Sequence, residues 1–570
     1  MIMRGDAPAV KTRLRCSRLL RMSSSTSPAK IEQSGHKDGR EVEWQMASAD
    51  LGFVRRWLAD HGTIDGLVLE PRSTLQIFDT YLDTDDWRIH RAGFALRIRS
   101  ESGKSEATLK SLHSADPEVA DRRELSETMQ SAESGSIRQS IGPVGVRVQA
   151  VSGAHALLPL FEVRTSRQRY AVRREDQAQP LGEIALDDTV ISRPRGEPQA
   201  SMQRVEVEAL TETREPLQSL VKTLRRDCAL EAASDSKYSK GLQSVGLAPG
   251  SAPQFAPTAV DASMSMAEVA MANLRRHLTA WHQREPGARL GDDPNELHDL
   301  RVAGRRLDAI VRQFGSSLPA TYLRFRPALK KVLGALGDAR DLDVALSELE
   351  TFSRELPESD LQSAEPLKRY LESQRSRARV RMLSVLDSVS VQRSLQRLTS
   401  LLAAPSAARQ QPSESALQAA PPLIRRRFRK VCRGADRLTP DSSVEEYHKV
   451  RGHVKKLRYA LEAVAVIYGK PADEMLRTLH RWQETLGVQQ DAGVASRRLK
   501  ALAGAPPKGI PPATLFLMGR LAEHYAGDAG RARRRYAKGY RKVRGKWKKL
   551  RSKLEELSVS YSPKPARSAQ

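Results

Sequence analysis

The feature that most constrains the fold of this chain is a basic motif that occurs twice. The first copy reads His298-x-x-Arg301-x-x-x-Arg305-Arg306-Leu307, and the second, 150 positions later, reads His448-x-x-Arg451-x-x-x-Lys455-Lys456-Leu457. At the same offset, Leu336-Gly337-x-x-x-Asp341 recurs as Leu486-Gly487-x-x-x-Asp491. Two landmarks at one offset indicate an internal repeat, which predicts two related structural units in this part of the chain.

Both copies have helical periodicity and one basic face. At about 100° per residue, the His and most of the cations lie on one side of the helix and the apolar residues lie opposite, and Arg458 extends the second basic arc. One interpretation is a solvated amphipathic helix. The other is a surface that binds a polyanion, because cations outnumber acids and the arrangement occurs twice. We expect Asp341 and Asp491 to orient basic side chains of a neighbouring helix or to cap helices.

The composition favours an anionic partner. The chain has 570 residues, which predicts several domains. Its 94 Lys and Arg against 68 Asp and Glu give a net charge of +26. Such a balance is typical of proteins that bind nucleic acid, an acidic membrane or a phosphate polymer, although charge also serves solubility.

The sequence predicts a cytoplasmic protein without a membrane span. Its three cysteines, Cys16, Cys228 and Cys432, have no metal-binding or redox spacing, which favours a reducing compartment. The sequence has no run of 18 or more apolar residues. Residues 1–38 are expected to be a disordered basic leader, because no apolar segment typical of a secretory signal is present. A transit peptide and a start codon placed too far upstream are the alternatives.

The patterning divides the chain into a strand-rich region and a helical region. Residues 39–247 alternate apolar and polar side chains in short runs, which predicts an α+β domain dominated by antiparallel strands. Residues 248–261 have the composition of a linker. Residues 262–556 predict an all-α region of two related bundles, about 262–401 and 423–556, separated by an Ala/Pro/Ser/Gln-rich stretch at 402–422 and followed by a tail at 557–570.

The predicted strands carry charged residues as pairs on one face, since side chains at i and i+2 point the same way. The pairs are Glu41 with Glu43, Arg97 with Arg99, Arg122 with Glu124, and Glu206 with Glu208. An ordinary sandwich would leave these charges in water. A closed barrel would instead place them in a charged lumen, where acids hold Mg²⁺ or Mn²⁺ and cations grip phosphate oxygens. That combination suits phosphoryl chemistry.

An ordered set of motifs resembles the CYTH domains, which are the triphosphate tunnel metalloenzymes. The motifs are Glu41-Val-Glu43-Trp-Gln45, Phe78-Asp79-Thr80, Leu96-Arg97-Ile98-Arg99, Thr108-Leu109-Lys110, Arg122-x-Glu124, Arg167, Asp187, Glu206-x-Glu208 and Ser236-Lys237-Tyr238. The resemblance covers about residues 39–247. It implies an eight-stranded antiparallel tunnel that binds triphosphate and a divalent metal.

The CYTH resemblance also implies roles for individual residues. The catalytic residues would be Glu41, Glu43, Glu206 and Glu208, and these four with Asp187 would hold Mg²⁺ or Mn²⁺. The phosphates would be bound by Arg97, Arg99, Lys110, Arg122, Arg167 and Lys237. The opening signature of the family is Glu-x-Glu-x-Lys, and this chain has Gln45 in place of the lysine. Because an amide cannot neutralise phosphate charge, we expect slow turnover or binding without turnover.

The helical region resembles the CHAD domain over about residues 262–556. The resemblance is carried by His298-Asp-Leu-Arg301-Val-Ala-Gly-Arg305-Arg306, Leu336-Gly337-Asp338-Ala339-Arg340-Asp341-Leu342-Asp343-Val344 and His448-Lys-Val-Arg451-x-x-x-Lys455-Lys456-Leu457-Arg458-Tyr459. It implies two bundles about a pseudo-two-fold axis and a shared surface that binds inorganic polyphosphate. The residues predicted to bind the polymer are His298, Arg301, Arg305, Arg306, His448, Arg451, Lys455, Lys456 and Arg458.

Together, these features predict a polyphosphate-binding protein whose tunnel binds and slowly hydrolyses inorganic triphosphate. The alternative is a non-catalytic scaffold at polyphosphate granules with a degenerate tunnel. A less favoured interpretation is a nucleic-acid-binding protein, because 13 Lys or Arg and no acids lie between Arg531 and Lys553 among Tyr536, Tyr540 and Trp547. Cations interleaved with aromatic rings suit stacking on single strands. The same stretch also fits a final helix whose aromatic side chains pack inward.

Overall fold

A computed structural model describes residues 36–112, 120–212, 214–250, 253, 255–404, 414–439 and 441–560. Residues 1–35 of the predicted leader and residues 561–570 of the predicted tail lie outside the described residues. The first strand begins at His36 and the last helix ends at Ser560.

The N-terminal region is built on a closed antiparallel barrel. Its strands are β1 (His36–Ala47), β2 (Thr63–Ile64), β3 (Leu67–Pro71), β4 (Leu75–Asp83), β5 (Phe94–Glu101), β6 (Lys104–Ser111), β7 (Ala120–Met129), β8 (Leu158–Arg174), β9 (Gly182–Ser192), β10 (Pro198–Ala209) and β11 (Glu231–Ala232). Eight of them pair in the order β8-β4-β5-β6-β7-β1-β10-β9, and a β8–β9 pairing closes the ring. This confirms the predicted eight-stranded barrel.

Six α-helices accompany the strands, and the rest of the described chain contains ten α-helices and the two short 3₁₀-helices Gly315–Ser317 and Ala320–Leu323. The first six are α1 (Leu51–Asp60), α2 (Arg88–Arg91), α3 (Ser134–Ile137), α4 (Pro143–Ser152), α5 (Glu215–Asp227) and α6 (Lys237–Ser244). The others are α7 (Met266–Leu290), α8 (Pro294–Phe314), α9 (Arg326–Ser353), α10 (Glu358–Leu386), α11 (Val389–Ala403), α12 (Ala416–Ala435), α13 (Val444–Glu462), α14 (Ala465–Tyr468), α15 (Lys470–Gly504) and α16 (Pro512–Ser560). The all-α prediction for the C-terminal region is therefore confirmed.

The barrel places its apolar side outward, which explains why its strands alternate as they do. On β10, Val205 and Val207 are buried in a core that also contains Leu51 and Val54 of α1 and leucines of α5. The intervening residues of β10 are charged and face the lumen. The sandwich interpretation is therefore wrong, because helices cover the outer apolar face and the charged face is enclosed.

The helical region has a pseudo-two-fold axis at the start of its two halves. Ser265 and Ser415, which are 150 positions apart, form an antiparallel bridge. The Met266 N–H donates to the Glu414 carbonyl at 2.9 Å, and the Ala416 N–H donates to the Met264 carbonyl at 3.0 Å. These reciprocal hydrogen bonds are the contacts expected of a two-fold, so the predicted internal repeat is present in three dimensions.

The second half begins earlier than its composition suggested. Ser415 caps α12 by accepting from the Leu417 N–H, so Pro421 and Pro422 lie inside the helix. Proline disfavours a helix interior because it lacks an N–H donor. Ala420, Pro421 and Ile424 are buried, however, and tertiary packing overrides local propensity.

Ionic contacts and buried apolar residues join the barrel to the helical region. Arg289 on α7 is fully buried, donates to Glu285 at 2.8 Å and to Asp387 at 2.8 Å, and reaches the Ala150 carbonyl of α4. Arg88 of α2 lies 3.6 Å from Glu285. Within the predicted linker, Phe255 and Val260 are buried in the helical core. The two regions therefore share one packed interface.

Candidate functional site

The lumen of the barrel gathers the residues predicted for the tunnel. Its cavity has a volume of about 80 Å³. It is lined by Glu41, Glu43, Glu206 and Glu208 and by Arg97, Arg99, Lys110, Arg122, Arg167 and Lys237. The register explains this meeting, since β1 pairs with β10 so that Glu43 lies opposite Glu208 and Gln45 lies opposite Glu206.

On one wall of the lumen, a lysine lies between three glutamates. The ammonium of Lys110 on β6 contacts the carboxylate of Glu41, lies 3.1 Å from Glu43 Oε1 and lies 3.8 Å from Glu124 Oε2. Glu43 is buried, and burial, with the repulsion of Glu41 and Glu206, raises its pKa even though Lys110 opposes the shift. Glu43 therefore holds its proton to a higher pH than an exposed glutamate.

The opposite wall uses the same arrangement with a buried aspartate. Arg167 donates to both oxygens of Asp187 at 2.7 Å and to Glu206 Oε2 at 2.5 Å. Lys237 donates to Asp187 at 2.5 Å and to Glu206 at 2.9 Å. Burial alone would raise the pKa of Glu206, but Lys237 and Arg167 hold it well below its usual range. Asp187 is fully buried and does not line the cavity, so its geometry favours orienting cations over binding a metal.

A third group fixes the arginines of β5. Arg99 binds Asp79 through two hydrogen bonds of 2.8 and 2.9 Å, and Arg97 lies 3.8 Å from Asp79 and 3.6 Å from Glu124. Burial opposes the ionisation of Asp79, yet the two guanidinium groups lower its pKa to about 2. Nε of Arg122 is buried and has no hydrogen-bond partner in the part of the chain that the structure describes.

Position 45 is connected to a buried arginine. Gln45 donates to Glu43 Oε1 at 2.7 Å and accepts from Arg204 Nη1 at 3.3 Å. Arg204 is 4% exposed and also donates to the Asp235 carbonyl. Arg204 lies on the same face of β10 as Glu206 and Glu208. It therefore supplies next to Gln45 the positive charge that a lysine at position 45 would carry. Sequence analysis missed Arg204, although its spacing of two residues from Glu206 indicates that both side chains point to the lumen.

In the helical region, the structure brings basic residues from both halves together. Arg301 Nη2 lies 4.0 Å from Asp341, and Arg451 Nη2 lies 3.5 Å from Asp491. A Cβ on Gly337 would lie 3.4 Å from Arg301 Nη2, and one on Gly487 would lie 3.2 Å from Arg451 Nη2. The two halves therefore repeat the same close approach, and each aspartate lies beside an arginine of an earlier helix in its half, as predicted.

Four cations form this basic cluster, which we define as Arg301, Arg305, Arg451 and Lys455. Burial, together with Arg451 and Arg305, lowers the pKa of Lys455 to about 7, because a further positive charge is costly there. His298 lies at the edge of the adjoining cavity. This crowding of like charges favours a bound anion.

The other predicted polymer-binding residues lie elsewhere on the helices. Arg458 donates to Glu462 at 2.9 Å and Arg306 lies 3.6 Å from the same carboxylate. Lys456 lines a small pocket with Arg427, Lys430 and His453. His448 is exposed and does not line the cavity beside the basic cluster. The repeat thus predicted the cluster but not which members of each motif join it.

Family models match both regions. The CYTH domain model matches residues 60–241, and the CHAD domain model matches residues 272–500. The chain combines a CYTH domain with a CHAD domain. No curated protein matches the chain.

Three solved structures illustrate the similarity. The CHAD domain from the plant Ricinus communis is 24% identical, with a TM-score of 0.39, and the match covers 54% of this chain and 97% of that one. PptA from Streptomyces chartreusis is 20% identical, with a TM-score of 0.39, over 49% of this chain and 100% of that one. HpAC1 from Hippeastrum, described as having a dominant triphosphatase activity, is 16% identical, with a TM-score of 0.26, over 36% and 97%.

The CYTH tunnel has the donor chemistry for a hard divalent cation, since Mg²⁺ and Mn²⁺ prefer carboxylate oxygens. Among the described residues, however, no three tunnel carboxylates bring ligand atoms within 4.8 Å of one another. The ammonium groups of Lys110 and Lys237 lie between the acids instead. Glu41, Glu43, Glu206 and Glu208 would hold such a metal if the ammonium groups moved away from their carboxylates, and the metal would neutralise charge there.

The acidic group that does meet this distance lies outside the tunnel. It consists of Asp85, Asp86 and His155. Asp86 already pairs with Arg88 at 3.1 Å and with Arg91 at 2.9 Å, which neutralises its charge. The group therefore belongs to the ionic contacts near the domain interface.

Sequence analysis assigned no role to four further residues of the tunnel wall, although Ser236 and Tyr238 belong to a motif that carries the CYTH resemblance. Tyr81, Glu183, Ser236 and Tyr238 line the cavity. Ser236 caps α6 and exchanges hydrogen bonds with Ser239, which fixes Lys237 at the first helical position beside the lumen. A Ser before a helical run is a capping signal that the sequence did contain.

The basic stretch from 531 to 553 belongs to α16, and the aromatic residues of this stretch pack inward. Tyr536 and Tyr540 are buried, and the Trp547 ring stacks on Phe428 with centroids 3.9 Å apart. These rings cannot serve as a stacking platform for bases, so the structure favours the final-helix interpretation. No described helix is both long and apolar enough to cross a membrane.

Proposed function

We propose that the CYTH tunnel binds inorganic triphosphate and, with Mg²⁺ or Mn²⁺, hydrolyses it slowly, while the CHAD domain binds inorganic polyphosphate. The observation that supports the first part is the lumen, where six cations and five glutamates line one cavity. Cations would bind the phosphate oxygens, and the acids would hold the metal.

The side chains of the tunnel would act by exchanging partners. Lys110, Arg167 and Lys237 are paired with acids, so an arriving triphosphate offers them new oxygens while their carboxylates become available for a metal. Asp79 and Asp187 keep Arg99 and Arg167 oriented throughout, since bidentate pairs fix guanidinium geometry. A bound divalent ion would supply charge neutralisation at the phosphates.

The basic cluster supports the second part of the proposal. Its cations come from both halves, and the nearest carboxylates stand 3.5 to 4.0 Å away. A linear phosphate polymer would satisfy all four cations at once. By analogy with counterion release on nucleic acids, its affinity should fall steeply with salt.

The test of the enzymatic part is phosphate release from tripolyphosphate by the full-length protein with Mg²⁺ or Mn²⁺. The wild type should turn over slowly, and Gln45→Lys should raise the rate about tenfold. Glu70→Gln, which removes an acid paired with Arg173 away from the lumen, is the matched control. An absence of phosphate release from both the wild type and Gln45→Lys would exclude hydrolysis.

The second candidate is a non-catalytic scaffold at polyphosphate granules, and Gln45 is the observation that favours it. Its neutral amide sits where the family signature has a lysine, and the tunnel would then bind phosphate without turnover. The same assay separates the two functions. Polyphosphate should also displace RNA from the protein at lower phosphate concentration than the reverse, because the described basic helix offers no aromatic platform to bases.

A further inference from the structure

One cavity of the CHAD domain lies beside the basic cluster and is much larger than that of the tunnel. Its volume is about 700 Å³, which is in the range of small-molecule sites. It is enclosed by α8, α9 and α10 of the first half and by α13, α15 and α16 of the second.

The lining of this cavity follows the pseudo-two-fold. Pairs of lining residues 150 positions apart are Arg301 and Arg451, Asp341 and Asp491, Val344 and Val494, Ala345 and Ala495, Leu349 and Leu499, and Leu371 and Leu521. The cavity therefore lies between the two halves. At these positions, both halves contribute the same kinds of side chain to it.

The chemistry of the wall changes from one pair of helices to another. The α8 and α13 helices contribute only His298, Arg301, Arg305 and Arg451 to the lining. The α10 and α16 helices contribute only leucines and tyrosines, and Val344 and Val494 lie on the α9 and α15 helices. The end of the cavity at α8 and α13 therefore carries the cations, and the end at α10 and α16 is apolar.

The cationic end of the cavity has N–H groups that can still donate hydrogen bonds to a ligand. Nε of Arg301 and Nε of Arg451 are buried and lack hydrogen-bond partners among the residues that the structure describes. Glu348 of α9 accepts from the Tyr525 hydroxyl at 2.7 Å, and burial raises its pKa, with Asp491 nearby adding to the shift. Its symmetry mate Arg498 adds a further cation to the wall.

Polyphosphate uses only one end of this cavity. The polymer has no apolar surface, so the accessible apolar side chains of the wall, Val344, Val494, Leu499 and Leu502, would gain nothing from it. Ligand sites typically combine an apolar wall with a few convergent polar groups, and this cavity has that composition.

We propose that the cavity binds an anionic amphiphile, with a phosphomonoester head on Arg301, Arg305 and Arg451 and an aliphatic chain along the paired valines and leucines. The head would occupy the basic cluster that the proposed function assigns to polyphosphate, and the inference rests on that assignment for this end only. The chain end rests on the shape and lining of the cavity. A long polyphosphate and such an amphiphile would compete.

The experiment is calorimetric titration of the full-length protein with inorganic phosphate and with hexyl, octyl and decyl phosphate, all below their micelle concentrations. Affinity should rise roughly fourfold for each added methylene, the gain expected when apolar surface leaves water. Decyltrimethylammonium, which has the same chain and the opposite charge, should not bind. Affinity that does not depend on chain length, or equal binding of the cationic amphiphile, would overturn the proposal.

Substitutions that do not change charge test where the aliphatic chain of the ligand lies. Val494 is 46% exposed on the cavity wall, and Val494→Gln should weaken decyl phosphate at least tenfold while long-chain polyphosphate affinity stays within twofold. Val380→Gln is the matched control, since Val380 is 68% exposed on α10 and does not line the cavity. Equal losses in both variants would place the chain elsewhere and contradict the proposal.

The two proposals fail separately. Chain-length-dependent binding of alkyl phosphates without polyphosphate binding would remove the polymer function and keep this site. Polyphosphate binding with no gain from alkyl chains would remove this site and keep the polymer function. Arg305→Gln should weaken both ligands, and a loss for one ligand alone would contradict the shared head-group position.

Discussion

The tunnel and the basic cluster both contain lysines and arginines, but nearby carboxylates neutralise these side chains far more completely in the tunnel. In the tunnel, Arg167 and Lys237 have carboxylate partners within 3 Å. In the cluster, the nearest acids to Arg301 and Arg451 stand at 4.0 and 3.5 Å. A neutralised lumen suits a short anion that arrives with its own metal, and an under-neutralised surface suits a long polyanion. The difference lies in the acids, which a count of basic residues does not reveal.

Reversing the charge of the basic cluster should have the largest effect on polyphosphate binding. Replacing Arg301, Arg305, Arg451 and Lys455 by Glu should lower polyphosphate affinity about a thousandfold or more, because each phosphate contact adds a charge-assisted interaction. Fluorescence anisotropy with labelled polyphosphate measures this loss. The control makes the same change in net charge at the exposed residues Arg369, Arg377, Arg393 and Arg397. A folded quadruple variant with wild-type affinity would refute the assignment of the cluster.

The tunnel should respond to loss of an acid instead. Glu206→Gln removes a shared partner of Arg167 and Lys237 and a proposed metal ligand. We expect about a hundredfold slower phosphate release, with polyphosphate binding to the CHAD domain unchanged. Phosphate release and anisotropy on the same preparation measure both quantities. A parallel loss of polyphosphate affinity would show that the two sites are not separate.

The role of Arg204 in the tunnel can be tested together with position 45. If its charge substitutes for the cation absent at position 45, Arg204→Gln should slow phosphate release about tenfold in the wild type. The same change in a Gln45→Lys background should have little effect, since the lysine supplies the charge. A double-mutant cycle on release rates measures this coupling. Additive effects would assign Arg204 a structural role only, and melting temperatures would then fall alongside the rates.

The smallest expected effect is a pH dependence that differs between the sites. Because the pKa of Lys455 is lowered to about 7, its ammonium is present below pH 7 and is lost as the pH rises. Polyphosphate affinity should therefore fall several-fold between pH 6 and pH 9, and Lys455→Arg should flatten this slope. In the tunnel, the raised pKa of Glu43 has the opposite sign, since metal binding needs the ionised form and should strengthen as the pH rises. Titrations at fixed ionic strength check both slopes.

Much of the architecture was predictable because it depends on regular spacings that can be read from the sequence. Two-residue spacing placed Glu41 with Glu43 and Glu206 with Glu208 on one face, and the barrel encloses that face. The offset of 150 positions predicted the two halves, and the Ser265–Ser415 bridge shows them meeting.

The remaining features depend on packing between distant segments. The motif alone did not separate Arg301 from Arg306, because the difference is set by Glu462 of the other half. The role of Asp187 required its burial beneath Arg167 and Lys237. The start of α12 at Ala416 was hidden by Pro421 and Pro422, whose local preference is outweighed by their buried surroundings.

The bridge between Ser265 and Ser415 has one further consequence. Reciprocal contacts of this kind usually join identical subunits, where every substitution appears twice. Here both sides belong to one polypeptide, so they can diverge, and Glu348 already stands opposite Arg498 in the repeat. A linear phosphate polymer reads the same from both ends, so a bound strand has no direction for such a site to distinguish, and the divergence instead gives the two sides of the site different charges.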